Sequence, residues 1–255
     1  IIYLKMNKNT QVNATIIIIG NEILSGRTQD TNTSTISLWL NSLGVKAQEV
    51  RVIPDIEDVI VKTINIVRKK NNYVFTTGGI GPTHDDITAK SISKAFDVKY
   101  EINKEAYKIL ENYYKPGEFN EGRQKMAWTP SNAKLILNPT SGAPGFIIDN
   151  VYCLPGVPSI LKSMLGGLKN VISGGKPVIS HTINLRTVES EIAKLLTFVQ
   201  ENNKDVEIGS YPFFSSGKVG VSIVIRSDEQ SKIDVCNSQI LKFVNQKKIE
   251  IIKSS

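Results

Sequence analysis

The sequence predicts an α/β protein in which a doubly wound, mostly parallel sheet is followed by a second, smaller α+β domain. An apolar, mainly β-branched run at 14–19 ends at Gly20, which is typical of a strand buried on both faces of a parallel sheet. Strand and helix patterns then alternate, as in sheets with right-handed crossovers. We therefore expect a first domain over 11–174 and a second over 177–255, joined by a linker-like segment at 173–177.

The elements of the first domain follow from apolar spacing and from the residues at their ends. A helix is predicted before Gly44 and a strand at 45–53, after which Asp55 is expected to cap a further helix. The other predicted elements are a strand at 73–77, a helix opening near Asp85 and Asp86, a helical region at 104–128 broken at 115–117, a strand at 134–137, a hairpin turning at Asp149-Asn150, and a helix after Pro158.

The second domain has a simpler pattern. Its apolar spacing predicts strands at 178–186, 206–211 and 219–226, with one helix after the first strand and another after the third. The resulting β-α-β-β-α order is that of a small α+β unit.

Composition and charge narrow the class of ligand. Hydrophobic residues make up 40% and charged residues 22% of the 255, which excludes a disordered or collagen-like chain. The formal net charge is +7, of which residues 1–176 carry +6 and residues 177–255 carry +1. The balance suits an anionic partner, but nucleic acid is not favoured, because lysines are spread out and aromatics do not interleave with them. Since the +6 belongs to the domain with the glycine-rich segment at 77–88, it is better explained by a phosphate-bearing small ligand.

The cysteines and the hydropathy pattern indicate a cytoplasmic protein. Cys153 and Cys236 lie far apart, with no Cys or His at metal-ligand spacing, so neither a disulfide framework nor a zinc site is predicted. No apolar run approaches the length of a membrane span, and no membrane partner is expected.

The segment TGGIGPTHDDIT at 77–88 carries the most chemistry. Gly78, Gly79 and Gly81 follow a buried strand, so backbone amides can approach an anion closely. Asp85 and Asp86 would repel that anion unless a divalent cation, such as magnesium, lies between carboxylate and phosphate oxygens. These two aspartates are therefore the candidate metal ligands and catalytic residues.

A second polar cluster, GNEILSG at 20–26 and DTN at 30–32, follows the first strand. Loops at the carboxyl ends of neighbouring parallel strands line one crevice, so this cluster is expected to face the glycine turn. Glu22 is a further candidate metal ligand, and Asp30 and Asn32 are candidate ligand-binding residues.

Helix capping is the alternative role for these acids. Asp86 is also suited to cap the helix that follows it, with Asp85 as a solvated neighbour, and Asp30 is suited to cap the helix before Gly44. Two Pro/Gly-rich turns, at 138–146 and 154–159, are candidates for a second part of the ligand site or for ordinary strand-end turns.

These motifs together resemble the competence/damage-inducible protein A (CinA) family, whose core is the MoaB/Mog-type molybdopterin-binding domain. The resemblance is carried by segments 20–26, 30–32 and 77–88, with SGAPG at 141–145 and LPGVP at 154–158, in the family's order. The motif GSYP at 209–212 is similar to a segment of proteins related to FAD synthase.

The resemblance implies a MoaB/Mog-like fold and a nucleotide or pterin ligand. It implies that Gly78, Gly79, Gly81 and Thr83 hold phosphate, that Asp85 and Asp86 bind metal or substrate, and that Ser141, Gly142, Pro155 and Gly156 line the ligand site. Magnesium or cobalt, and potassium as a further ion, are the cofactors it suggests. It also suggests a homo-oligomer.

Two departures from the family pattern limit which of the family's residue roles and activities can be inferred for this chain. Many CinA proteins have Glu after the LPGVP-like segment, whereas this chain has Ile160. Many CinA proteins also carry a C-terminal amidase domain, and since the 255 residues end before one could begin, deamidase activity is not predicted. The expected function is metal-dependent hydrolysis of a nucleotide pyrophosphate of the ADP-ribose or FAD type. The alternatives are molybdopterin binding or adenylylation, and a non-catalytic pterin- or nucleotide-binding module.

Overall fold

The computed structural model describes residues 11–215 and 217–252. The chain divides after Gly175 into two compact units. In chain order, the first unit contains β1 (Asn13–Ile19), α1 (Asn21–Leu24), α2 (Asn32–Ser42), β2 (Lys46–Ile53), α3 (Glu57–Val67), β3 (Tyr73–Thr77), α4 (Thr88–Ala95), β4 (Tyr100–Ile102), α5 (Lys104–Tyr113), α6 (Glu121–Lys125), β5 (Trp128–Pro130), β6 (Lys134–Ile136), β7 (Gly145–Ile148), β8 (Val151–Leu154) and α7 (Pro158–Gly167).

The first unit is built on a six-stranded sheet in the order β2-β1-β3-β8-β7-β6. The four strands β2, β1, β3 and β8 run parallel, β7 is antiparallel to β8, and β6 is antiparallel to β7 and therefore runs in the direction of the four. The predicted doubly wound, mostly parallel sheet is therefore confirmed. A separate two-stranded pair joins β4 to β5.

Strand β1 is buried on both faces, as its unbroken apolar run predicts. Ile16 and Ile18 belong to one hydrophobic cluster, which includes residues of α2 and α7. Ile17 and Ile19 belong to the other, which includes residues of α3 and α4. Since successive side chains of a strand alternate between faces, one continuous apolar run supplies both layers of the core.

Two local predictions are wrong. Helix α3 begins at Glu57 with Ile56 at its N-cap and no side-chain cap, so Asp55 does not cap it. The predicted helical region at 104–128, with its break at 115–117, is observed as α5 and α6, but it ends before Trp128, which starts β5 by pairing with Ile102. Helix α4 begins at Thr88, two residues beyond Asp86 and close to the predicted start.

The second unit contains β9 (Ile179–Leu185), α8 (Glu189–Asn202), β10 (Glu207–Ser215), β11 (Lys218–Ser227), α9 (Gln230–Gln246) and β12 (Ile251–Ile252). Its antiparallel sheet has the order β10-β11-β9-β12, and both helices share one hydrophobic cluster with alternate residues of β9 and β11. The predicted β-α-β-β-α order is observed, with β12 as an additional short strand. Within the described residues, no helix is both long and apolar enough to cross a membrane.

Candidate functional site

The candidate site lies where the parallel strands of the first unit end. Strands β1, β2, β3 and β8 terminate at Ile19, Ile53, Thr77 and Leu154, and their following loops are joined by backbone hydrogen bonds. The N–H of Gly20 donates to Ile53 O at 3.2 Å, and the N–H of Gly78 donates to Leu154 O at 3.1 Å. Three chemistry-bearing segments that are distant in sequence therefore meet at one edge of the sheet.

The glycine turn after β3 has no space for side chains. Gly78 and Gly79 have φ values of 102° and 68°. A Cβ atom on Gly78 would lie 2.1 Å from Ile19 O, and one on Gly79 would lie 2.2 Å from Thr88 Oγ1. Glycine is required at Gly78 both by its left-handed backbone and by the close approach of β1.

This turn presents unpaired backbone donors. In the described part of the chain, the N–H groups of Gly79, Ile80 and Gly81 have no hydrogen-bond acceptor. The carbonyl groups of the turn are bound by Thr88, which donates from its N–H to Gly79 O at 2.9 Å and from its hydroxyl to Gly78 O at 3.0 Å. Successive free N–H groups around a residue with positive φ form a concavity that binds anions such as phosphate.

Asn32 connects the loops that follow β1, β3 and β8 through hydrogen bonds. Its Nδ2 donates to Thr77 Oγ1 at 2.9 Å and to Gly156 O at 2.8 Å, and Thr77 Oγ1 donates onward to Pro155 O at 2.9 Å. Because the single hydroxyl proton of Thr77 goes to Pro155, Thr77 Oγ1 must accept from the amide, which fixes the orientation of Asn32. Asn32 is 6% exposed, and its Oδ1 has no partner among the described residues.

Asp85 and Asp86 occupy the turn between the glycine segment and α4. Asp86 accepts hydrogen bonds from the backbone N–H and the hydroxyl of Thr83. Asp85 is exposed, and the nearby Thr83 hydroxyl, together with its backbone and the charges of His84 and Lys125, holds the pKa of its carboxyl below the ordinary value. Asp85 is therefore ionised at neutral pH and open to a ligand. His84 is exposed.

Asp55 is a further carboxylate of the site, contrary to its predicted role as a helix cap. Its Oδ2 accepts from Asn21 N–H at 2.9 Å, and its Oδ1 lies 3.5 Å from the position of a Cβ on Gly79. Burial raises the pKa of the Asp55 carboxyl, and the negative charges of Glu22 and Asp85 raise it further. One signal in the sequence could have identified it, because Asp55 is an acid directly after a parallel strand, as Glu22 is.

The carboxylates offer oxygen ligands without forming a complete metal cage. The charges of Glu22 and Asp85 act on Asp55, yet no group of three or more His, Cys, Asp or Glu side chains within the described ranges is placed to hold a metal ion. Magnesium usually binds proteins through one or two carboxylates and completes its octahedron with water and substrate phosphate. The donor set therefore fits a magnesium ion that is shared with a phosphate ligand.

A small cleft opens beside the glycine turn. The space inside it is about 10 Å³, room for about one water molecule, and it opens to solvent. Its lining includes Gly79, Gly81 and Asp86 together with Tyr100, Lys125 and Trp128. The last three belong to β4, α6 and β5, of which the two strands were not predicted.

Three other predicted site residues, Asp30, Pro155 and Gly156, form hydrogen bonds with Asn32 or with its partner Thr77. Asp30 binds the start of α2, accepting from Asn32 N–H at 2.9 Å, which is the capping role given as its alternative. The carbonyls of Pro155 and Gly156 belong to the Asn32 network, and a Cβ on Gly156 would lie 3.4 Å from Gly78 Cα.

Ser141, Gly142 and Ile160 lie outside the cleft lining. Ser141 Oγ accepts from Asn138 Nδ2 at 2.7 Å, and a Cβ on Gly142 would meet the Tyr113 ring at 2.7 Å. Ile160 packs against the hydrophobic cluster of α2 and α7. The family's carboxylate at this position is thus replaced by a core side chain.

Both units of the chain match families of known proteins. Residues 15–180 match the model of the family described as "Probable molybdopterin binding domain", and residues 177–252 match that described as "FAD synthase, middle domain". A protein of Archaeoglobus fulgidus is 34% identical over 217 residues, which cover 85% of this chain and 92% of that protein. Protein LS215_2186 of Saccharolobus islandicus is 35% identical over 209 residues, which cover 78% of this chain and 80% of the relative.

Among solved structures, the CinA protein from Thermoplasma acidophilum, described as having unknown function, is similar with a TM-score of 0.60 and 32% identity. The match covers 64% of this chain and 99% of that one. The resemblance to CinA and the MoaB/Mog-like fold predicted from the motifs are confirmed. The chain belongs to the family of probable molybdopterin-binding domains, with a domain of the FAD synthase middle type at 177–252.

Proposed function

We propose that the first unit hydrolyses the phosphoanhydride bond of a nucleotide pyrophosphate such as ADP-ribose or FAD. The observation that carries the proposal is the turn of three unpaired N–H groups, at Gly79, Ile80 and Gly81, beside the carboxylates of Glu22, Asp55 and Asp85. Free amides bind phosphate, whereas clustered carboxylates repel it unless a cation is shared between them. A pyrophosphate with a divalent metal satisfies both groups.

Each part of the site has a distinct task. The turn amides hold one phosphate and stabilise the negative charge that develops on its oxygens. Asp85 and Asp55 would hold magnesium, with Glu22 beside them; when bound, the ion supplies positive charge against the phosphate oxygens. Asp86 keeps the turn in place through its bonds to Thr83.

The reaction consumes one water molecule. The water oxygen forms a bond to one phosphorus, the bridging P–O bond breaks, the departing phosphate keeps the bridging oxygen, and a proton is released. ADP-ribose would give AMP and ribose 5-phosphate, and FAD would give AMP and FMN.

The test is a panel of ADP-ribose and FAD with magnesium, cobalt or potassium, read as AMP release. Wild-type protein should release AMP with at least one divalent metal. Asp85→Asn should reduce the rate by at least about a hundredfold while its thermal unfolding remains cooperative. Glu111→Gln, on the exposed side of α5, is the matched control and should retain full activity. Unchanged turnover by Asp85→Asn would refute the assignment.

Adenylylation of molybdopterin is a second candidate, favoured by the match of residues 15–180 to a probable molybdopterin-binding family. In that reaction, the adenylyl group of ATP is transferred to the molybdopterin phosphate and inorganic pyrophosphate is released. Incubation with ATP and molybdopterin separates the two functions, because an adenylylated pterin forms only by transfer.

A further inference from the structure

Helix α6 places a lysine over the loop that follows the glycine turn. Lys125 Nζ donates a hydrogen bond to Thr83 O. The helix lies close to the same loop, since a Cβ on Gly122 would be 3.3 Å from Pro82 O. Thr83 lies two residues from Gly81, so the ammonium group is held beside the unpaired backbone donors.

The position of α6 is fixed by contacts of its own. Asn120 Oδ1 accepts from Arg123 N–H at 3.1 Å, and Gln124 Nε2 donates to Phe119 O at 3.0 Å. The Arg123 guanidinium lies 4.2 Å from the centre of the Tyr114 ring. These contacts hold the backbone that carries Lys125, so the side chain is directed to the cleft by the fold rather than by its bond to Thr83 alone.

Lys125 supplies positive charge to a site that is otherwise acidic. It is the cationic side chain among the residues that line the cleft, where it lies with Gly79, Gly81 and Asp86. Within the described residues it forms no ion pair, and its acceptor is a neutral carbonyl. An ammonium group has three donors, so a phosphate oxygen can become its partner without the loss of a salt bridge.

We propose that Lys125 binds a phosphate oxygen of the ligand beside the turn amides. The proposal rests on the proposed function in taking a pyrophosphate as the ligand, but it requires binding and not cleavage. Lys125 would then neutralise substrate charge that a single divalent cation leaves uncompensated.

Binding of inorganic pyrophosphate and of ADP-ribose in magnesium, measured by calorimetry on the full chain, tests this role. Lys125→Met should lower the affinity for pyrophosphate and for ADP-ribose by about ten- to a hundredfold, as expected for loss of a charge-assisted hydrogen bond. Lys125→Arg should remain within a few fold of wild type. Lys108→Met, at an exposed position of α5, is the matched control and should bind as wild type does.

The outcomes separate this proposal from the proposed function. Tight binding that falls in Lys125→Met and not in Lys108→Met supports the role of Lys125 even if neither compound is cleaved. Equal affinities of Lys125→Met and wild type would overturn it, as would absence of pyrophosphate binding by the wild type. Melting temperatures are measured in parallel: if Lys125→Met binds weakly but is also less stable than Lys125→Arg and Lys108→Met, the role is structural and the proposal fails.

Discussion

At the scale of single residues, the site combines carboxylates whose pKa values are shifted in opposite directions. Burial and the charges of Glu22 and Asp85 raise the pKa of Asp55, whereas the nearby Thr83 hydroxyl lowers the pKa of Asp85. Asp85 is therefore ionised at little cost, while ionisation of Asp55 opposes folding in the absence of a cation. A divalent ion would relieve that repulsion, which connects stability to metal binding.

Asp55→Asn tests this connection. Because the folded-state pKa of Asp55 is raised, its contribution to stability is present below the ordinary value of 3.8 and is lost as pH rises through the folded-state pKa. The variant should melt above wild type at pH 7, and the difference should shrink below pH 3.8. It should also lose at least about a hundredfold in AMP release.

Thermal unfolding across this pH range, with and without magnesium, provides the measurement. Magnesium should raise the melting temperature of wild type more than that of Asp55→Asn. A difference between the two proteins that does not change with pH would contradict the like-charge explanation.

Asn32 tests the network beneath the turn. Asn32→Asp replaces an amide that donates to Thr77 and Gly156 with a buried carboxylate facing the same acceptors. We expect a loss of about 2 to 4 kcal/mol in the free energy of unfolding. Asn41→Asp, exposed on the same helix, should change it by less than about 0.5 kcal/mol. Denaturant titration measures both, and equal effects would show that the network does not stabilise the fold.

Some of these residues could be predicted and others could not, for a physical reason. Asn32, Asp85 and Asp86 lie in short continuous motifs next to a predicted strand, so local sequence was sufficient to select them. Lys125 reaches the cleft only because α6 packs on a loop some 40 residues earlier in the chain, at Thr83. No local pattern encodes such a contact.

At the scale of elements, the glycine turn depends on the close approach of β1 and β3. Gly78 is adjacent to Thr77, which pairs with Ile18, and the carbonyl of the next residue, Ile19, occupies the space of a Cβ on Gly78. The buried strands were predictable because their apolar runs are continuous. Strand β5 was not, because Trp128 is paired with Ile102 across two intervening helices and its own segment has a helical pattern.

Gly78→Ala compared with Gly26→Ala tests the turn. Both glycines have positive φ, but a Cβ on Gly26 meets nothing within 4 Å, whereas one on Gly78 meets Ile19 O at 2.1 Å. Gly26→Ala should cost about 1 to 2 kcal/mol, from backbone strain alone. Gly78→Ala should cost about 2 to 5 kcal/mol and weaken pyrophosphate binding, because strand and turn must separate. Equal costs in chemical denaturation would contradict this explanation.

At the scale of the whole molecule, each hydrophobic cluster lies within one unit. Three belong to residues before Gly175 and the fourth to residues after it. The basic excess of +6 lies in residues 1–176, which include the glycine turn. Composition indicated an anionic ligand, and the fold brings the phosphate donors and the carboxylates to one edge of one sheet. Self-association stays a prediction.

Separate production of residues 11–175 and 176–255 tests this division. Since each unit has its own core, each fragment should give a cooperative thermal transition. The first fragment should bind pyrophosphate within about tenfold of the full chain, because the candidate phosphate donors all belong to it. A first fragment that unfolds non-cooperatively would show that the second unit is needed for its stability.

The proposed reaction is hydrolysis of the phosphoanhydride bond of a nucleotide pyrophosphate. It is tested most directly by incubating wild-type protein with ADP-ribose and magnesium in water enriched in oxygen-18, followed by mass spectrometry of the products. The account predicts AMP and ribose 5-phosphate, with one heavy oxygen in the phosphate of one product and none in the other, and no products with Asp85→Asn. Intact ADP-ribose with every divalent metal, or products without heavy oxygen, would contradict it.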